Sequence, residues 1–313
     1  LHAPALSTPN PTMLRFLSSR LWNGLLVMIG VSFISFLLFN YIGDPINNLL
    51  GERATLEQQQ AMRVALGLDQ PMVWRFFKYL GLAVQGEFGL SLRQGTKVST
   101  LIVERFPATL ELALAAALLA LVIGTLAAFG FSRYPLKGND TYLFIILTTR
   151  MLPAIVVIIP VILMFRVVGL SGSYTGIILL YTAFNLAFTI WMMKSFFDEL
   201  SLDVEDAARI DGSSDMKVFF KIALPQVVAG LAATFVFGLI LTWNEFLFAL
   251  LLSGPDTRTV PVAMNQAVSS GGRGTDWTLL AAIETLFLIP VFLVTFFLQN
   301  HLLRGVTFGT VKR

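Results

Sequence analysis

Cysteine is absent from this 313-residue chain, and histidine occurs only at His2 and His301. That excludes disulfides, thiolate metal sites and cysteine nucleophiles, and leaves almost no histidine chemistry. Charge is scarce as well: Asp, Glu, Lys and Arg make up 13% of the residues, against roughly 25% in a soluble domain. No G-x-x-x-x-G-K-[ST] phosphate loop occurs, so the chain is not expected to hydrolyse ATP by itself. The glycines Gly271, Gly272 and Gly274 lack the lysine such a loop requires. There is no H-E-x-x-H, no oxygen-rich calcium loop, and no nucleophile accompanied by a base. No catalytic residue and no metal site are expected.

What the chain has is hydrocarbon, with 56% hydrophobic residues and a mean hydropathy of +0.75. A helix needs about 20 mostly apolar residues to cross a bilayer, and six runs qualify: 21–42, 107–131, 142–165, 177–193, 227–252 and 279–302. Their unbroken apolarity, without period-two alternation, predicts an all-α integral membrane protein rather than a β-barrel. Basic flanks at Arg15, Arg20, Arg133, Lys137, Lys194, Arg304, Lys312 and Arg313 predict that both termini are cytoplasmic. The formal charge of +3 forms no dense patch with interleaved aromatics, so no nucleic-acid partner is expected.

Residues 1–12 read as an N-terminal extension ahead of Met13. Residues 13–106 hold the first span and an extracytoplasmic segment whose seven Lys or Arg are offset by six Asp or Glu. Residues 107–313 form a five-helix core. Within the spans, ionisable groups are expensive and face a cavity or a partner; Arg150, Glu245 and Glu284 are the three candidates. They are expected either to form an ion pair or to touch a polar substrate. Tyr181, Asn185, Trp243 and Asn244 are further candidates for the substrate path. Pro153 and Pro160 are expected to kink the third span.

Charge, spacing and punctuation coincide in 194–225. Asp206-Ala207-Ala208-Arg209-Ile210-Asp211-Gly212 is followed after nine residues by Ile222-Ala223-Leu224-Pro225. Val204, Ala207, Ala208 and Ile210 lie on and beside one face of a short helix. Gly212 is placed to end that helix, and Pro225 to open the next span.

This spacing resembles the Glu-Ala-Ala loop of bacterial ATP-binding-cassette importer permeases, with Asp206 in the place of the glutamate and Glu205 beside it. From about Ala115 onward the chain is similar to sugar permeases of the maltose-type second-subunit branch. That likeness rests on Met151-Leu152-Pro153, Ile159-Pro160, Gly169-Leu170, Trp243-Asn244-Glu245-Phe246 and Arg304-Gly305-Val306-Thr307. The first third is similar instead to dipeptide and nickel permeases, through Gly43-Asp44-Pro45, Leu66-Gly67-Leu68-Asp69-Gln70-Pro71 and Arg105-Phe106-Pro107-Ala108-Thr109-Leu110-Glu111.

The resemblance implies the type I importer permease fold, with a cytoplasmic coupling helix that docks in an ATPase subunit. Glu205, Asp206, Ala207, Ala208, Arg209, Asp211, Gly212, Ile222, Leu224 and Pro225 are then the coupling residues. It further implies a second permease, two ATPase subunits that bind ATP and magnesium, and an extracytoplasmic solute-binding protein, in the bacterial inner membrane. This chain itself needs no cofactor. The loop 253–277 would meet the binding protein through Asp256, Arg258, Gln266 and Arg273. The expected cargo is a sugar, polyol or sugar derivative. A peptide or nickel chelate is the alternative, and an ion-coupled carrier built on Arg150, Glu245 and Glu284 is a third reading.

Overall fold

In a bilayer every backbone polar group must find a partner inside the chain. In the computed structural model all described residues in regular structure are accordingly helical, apart from isolated bridge residues at Lys97 and at the Gly172–Ser253 pair. The structure describes residues 55–65, 68–88, 97–134 and 136–267, together with residues 19 and 46 and most of 22–37 and 282–296. They fall into two units, divided at Ile102/Val103 and at Ala263/Met264.

The first unit contains α1 (Leu56–Ala65) and α2 (Met72–Val84). Apolar helical stretches also lie at Trp22–Ile34 and Ala282–Phe296, where the first and sixth spans were expected; the rest of those two spans lies outside the described residues. Aromatic packing holds this unit. Phe76 of α2 is buried, with Phe33 edge-on at 5.0 Å and Phe36 at 5.5 Å. The Arg75 guanidinium lies 5.8 Å from the Phe36 ring centroid, a distance at which the ring quadrupole attracts a cation.

The second unit is organised around two long helices, α3 (Val98–Arg133), which enters it at Val103, and α6 (Tyr174–Asp198). The 36 residues of α3 extend about 54 Å, well beyond the hydrocarbon thickness of about 30 Å. Pro107, expected to start this span, sits inside it. The two helices pack closely where Gly124 faces Thr189; a Cβ on Gly124 would lie 2.6 Å from the threonine methyl.

The third expected span is not one helix. It divides into α4 (Asn139–Met151) and α5 (Ala154–Val167), bent by 91°. Leu152 precedes a proline, which disfavours helical backbone, and it adopts ψ 132° with Pro153 as the N-cap of α5. Pro160, also expected to kink the span, lies within α5 without breaking it.

After α6 come α7 (Leu202–Ile210) and the helical segment α8 (Asp215–Gln226), then a 79° bend into α9 (Val228–Trp243). A π turn at Phe219–Ala223 widens α8 just before Pro225. There the proline ring would otherwise press on the carbonyl four residues back. The fifth expected span therefore begins at Val228, after Pro225, and it stops early. The helix ends at Trp243, and a separate α10 (Leu247–Leu252) follows, before α11 (Val260–Ala267).

Candidate functional site

Two places in the second unit bring the expected residues together, at the 198 end of α6 and at its middle.

At the first, α7 is built by local signals. Ser201 caps its start by accepting from the Asp203 N–H at 3.2 Å. Gly212, with φ +83°, closes its end. Gly212 N–H donates to the Arg209 carbonyl and Ser213 N–H to the Ala208 carbonyl, at 3.0 and 2.9 Å, which is the Schellman pattern.

The side of α7 that meets the helix bundle is anchored by one ion pair. Arg133, in the last turn of α3, donates from Nε to both carboxylate oxygens of Glu205 at 3.0 Å and from Nη2 to Oε1 at 2.8 Å. Glu205 has no solvent exposure. Arg133 also donates to the Phe197 carbonyl and to Ser132 Oγ, both at 2.8 Å. Ser132 in turn donates to Asp198, which pairs with Lys194. Phe129, Met193, Phe197, Phe219 and Val227 form the apolar core beneath this network.

Glu205 was expected beside Asp206 on the docking face; the structure turns it inward, and Asp206 remains outside with its side chain 63% exposed. Arg209 links the two sides. It contacts Glu205 at 3.5 Å, Asp206 at 2.9 Å and Asp215 at 3.1 Å. Burial alone would lower the Arg209 guanidinium, but hydrogen bonding with Asp215, Tyr134 and Asp206 outweighs it and the net direction is upward. The outward side of this helical pair is apolar: Leu202, Val204, Ile210 and Met216 are exposed, as is Ala207, while Ala208 is half-buried. Asp211 and Pro225 are exposed; Ile222 and Leu224 are half-buried, Leu224 against the core below.

The second place is a cavity of about 210 Å³. Both helix breaks open onto it. Arg150, Leu152 and Ala154 come from the α4–α5 bend, Tyr181, Phe184 and Asn185 from α6, and Leu241, Thr242, Glu245 and Phe248 from the α9–α10 break. Irregular backbone at membrane depth is tolerated where it lines such a cavity.

Four sequence candidates meet here, with roles the sequence did not specify. Arg150 Nη1 donates to the Phe184 carbonyl at 2.9 Å. Glu245 lies in the break rather than inside a helix, and its oxygens accept the N–H groups of Phe248 and Ala249 at 2.9 and 3.1 Å. The expected ion pair between Arg150 and a carboxylate does not form among the described residues. Tyr181 and Asn185 are each 2% exposed, yet the Tyr181 hydroxyl and Asn185 Oδ1 have no hydrogen-bond partner there.

Three other candidates lie elsewhere. Trp243 is 2% exposed and packs edge-on against Phe106 at 5.5 Å, so its ring is used inside the protein. Asn244 turns back to donate to the Ile240 carbonyl at 2.8 Å. Glu284 belongs to the first unit. Sequence reasoning missed Thr242, Phe184 and Phe248; the two rings are 4.5 Å apart.

The first part of the expected docking loop is tethered. Pro255 and Asp256 carbonyls accept from Arg105 and Tyr174 at 2.6 and 3.0 Å, and Thr257 joins Gly254 to Gly172. Arg258 follows in the same loop, and Gln266 lies on α11. Arg273 is outside the described residues.

Chains of solved ABC importers share this fold. A chain of a bacterial ABC transporter that imports the acidic polysaccharide alginate aligns over 76% of this chain and 97% of its own, with TM-score 0.54 and 21% identity. A chain of the MetNI methionine ABC transporter, in inward-facing form, aligns over 66% and 98%, with TM-score 0.52 and 19% identity. The fold is that of an ABC importer permease. Residues 98–308 match the family described as binding-protein-dependent transport system inner membrane component, and residues 13–113 match the N-terminal membrane component of such systems. The chain belongs to this family of inner membrane transport components, which sets aside the ion-coupled carrier.

Among relatives, the probable ABC transporter permease y4oR of Sinorhizobium fredii is 36% identical over 62% of this chain and 69% of its own. The osmoprotective compounds uptake permease GgtD of Synechocystis is 31% identical over 67% and 70%. The sulfoquinovosyl glycerol permease SmoH of Agrobacterium fabrum is 30% identical over 64% and 70%.

Proposed function

We propose that this subunit imports a sugar, polyol or sugar derivative, and that α7 and α8 couple its helices to an ATPase. The observation that carries the coupling role is the two-sidedness of α7. One side is bonded to the end of α3 through the buried Arg133–Glu205 pair, and the other presents Leu202, Val204 and Ile210 outward. A helix fixed in this way transmits a push rather than absorbing it. The ATPase would meet the outward side in the cytoplasm, where both termini also lie. Two ATPases, a second permease and a solute-binding protein complete the transporter, and alternating access follows from rigid rotation of its halves.

The sugar assignment draws on the cavity, where orphan hydroxyl and amide atoms stand beside two phenyl rings, and on relatives whose names specify sulfoquinovosyl glycerol, diacetylchitobiose and alpha-glucoside. A peptide cargo is the second reading, supported by the dipeptide-permease-like motifs within 13–113.

Deleting residues 207–212 is expected to abolish binding-protein-stimulated ATP hydrolysis in the assembled complex while membrane insertion continues; retained stimulation would remove the coupling role. Melting shifts of the cognate binding protein across sugars, polyols and dipeptides decide the cargo.

A further inference from the structure

We propose that the cavity of the second unit recognises an anionic group, a carboxylate or sulfonate, on the imported solute, and that Arg150 is the residue that selects it. This rests on the cavity being part of the solute path, as the proposed function has it, and adds the charge of the cargo.

Charge matching in the cavity is one-sided. Glu245 is the cavity's carboxylate, and both its oxygens already accept backbone N–H groups from Phe248 and Ala249. Arg150 is its cation, and it has only the neutral Phe184 carbonyl, with no carboxylate of a described residue within ion-pair distance. A guanidinium has five N–H donors in a fork that matches a carboxylate. An arginine without a counter-charge is costly at membrane depth, and one bond to the Phe184 carbonyl offsets only part of that cost.

The neighbouring atoms extend the match. Asn185 Oδ1, 2% exposed and unpartnered, is an acceptor that suits a hydroxyl. The Tyr181 hydroxyl, equally buried, faces Glu245, whose oxygens already accept two backbone N–H groups. A cationic fork, a buried acceptor and a hydroxyl describe an acidic, hydroxylated solute. A zwitterion fits less well, because its ammonium group would have to compete for a carboxylate already bonded to two N–H groups. At about 210 Å³ the cavity is smaller than the roughly 300–1,000 Å³ of drug-sized sites, which suits one ring or one charged headgroup.

Thermal melting of the complete purified transporter tests this, with glucuronate, glucose, glucosamine and the dipeptide Asp-Ala as probes at millimolar concentration. Glucuronate is expected to raise the melting temperature by roughly 2–4 °C, with little effect from glucose or glucosamine. Arg150→Met should abolish that shift without lowering the melting temperature of the unliganded complex, and Arg150→Lys should keep part of it. A shift with glucose that persists in Arg150→Met would overturn the anion site and leave the sugar reading intact. A shift with Asp-Ala alone, lost in Arg150→Met, would keep the anion site and overturn the sugar reading. No shift with any probe, or a destabilised unliganded Arg150→Met complex, would show that Arg150 is structural and end the proposal.

Discussion

The charged network around α7 and the polar cavity both border one helix, α6. At the 198 end of α6, the charged groups of the coupling network, Lys194, Asp198, Arg133, Glu205, Arg209, Asp206 and Asp215, all have partners supplied by the chain itself. At its middle, a buried tyrosine and asparagine have unmet polar atoms and an arginine lacks a counter-charge among the described residues. Unpaired buried polar groups cost on the order of 1–3 kcal/mol each, and Tyr181 and Asn185 bring two such atoms to the wall of one cavity. The charged groups at the 198 end are matched within the chain, whereas Arg150, Tyr181 and Asn185 have polar atoms left over among the described residues. A part that transmits force needs rigidity, and a part that binds and releases cargo keeps bonds to offer.

The largest loss is expected where the charges are matched, at the Arg133–Glu205 pair. Glu205→Ala would leave Arg133 buried with its charge unmatched, a loss of about 3–5 kcal/mol, together with the stimulated ATPase activity. Arg133→Met combined with Glu205→Met should recover much of the stability, because replacing a buried pair with apolar side chains is often neutral. Coupling should stay impaired in the double variant, since the directional link between α3 and α7 is gone. Thermal unfolding and ATP hydrolysis of the assembled complex read both effects. A fully coupled double variant would reduce the ion pair to a packing feature.

Much of this was legible because it is local. Apolar runs, the Asp206-to-Pro225 spacing, the Gly212 stop and the break ahead of Pro153 all depend on neighbouring residues. The break after Trp243 was not legible, since neither glycine nor proline marks it and the apolar run resumes at Phe246 after only Asn244 and Glu245. Nor was the inward turn of Glu205. Its partner lies 72 residues away, and adjacent carboxylates in a short helix do not reveal which one faces the bundle. The meeting of Arg150, Tyr181, Asn185 and Glu245 was legible as chemistry but not as geometry, because three elements and two breaks create it.

The link between the two ends can be tested where α3 crosses α6. Gly124→Ala would place a methyl group 2.6 Å from the Thr189 methyl, and overpacking of this kind costs roughly 1–3 kcal/mol. Because the crossing lies between the cavity and the coupling network, transport per ATP hydrolysed should fall along with stability. Unchanged melting and unchanged stoichiometry would show that the helices separate freely there.

At the unsatisfied end, the expected sign is the opposite. Tyr181→Phe removes a hydroxyl with no hydrogen-bond partner in range among the described residues, so stability should hold or rise by up to about 1 kcal/mol, while uptake of the cognate solute falls severalfold. A loss of stability beyond about 1 kcal/mol would mean that the hydroxyl is already satisfied, and the contrast between the two ends would disappear.

The smallest effect divides the coupling network itself into a buried and an exposed half. Tyr134 and then Arg209 hold the Asp215 carboxyl below its ordinary value. A carboxyl lowered on folding adds stability that is complete above its unfolded value of about 3.9 and disappears as the pH falls through the lower folded value. Asp215→Asn should therefore cause a small, constant drop in melting temperature at neutral pH, a drop that shrinks only in acid below that range. Raised salt should shrink it too, because exposed ion pairs are screened. The buried Arg133–Glu205 pair is shielded from that screening, so the loss caused by Glu205→Ala should change little between low and high salt. If both losses respond to salt alike, solvent reaches Glu205, and the network has no protected half through which to transmit force.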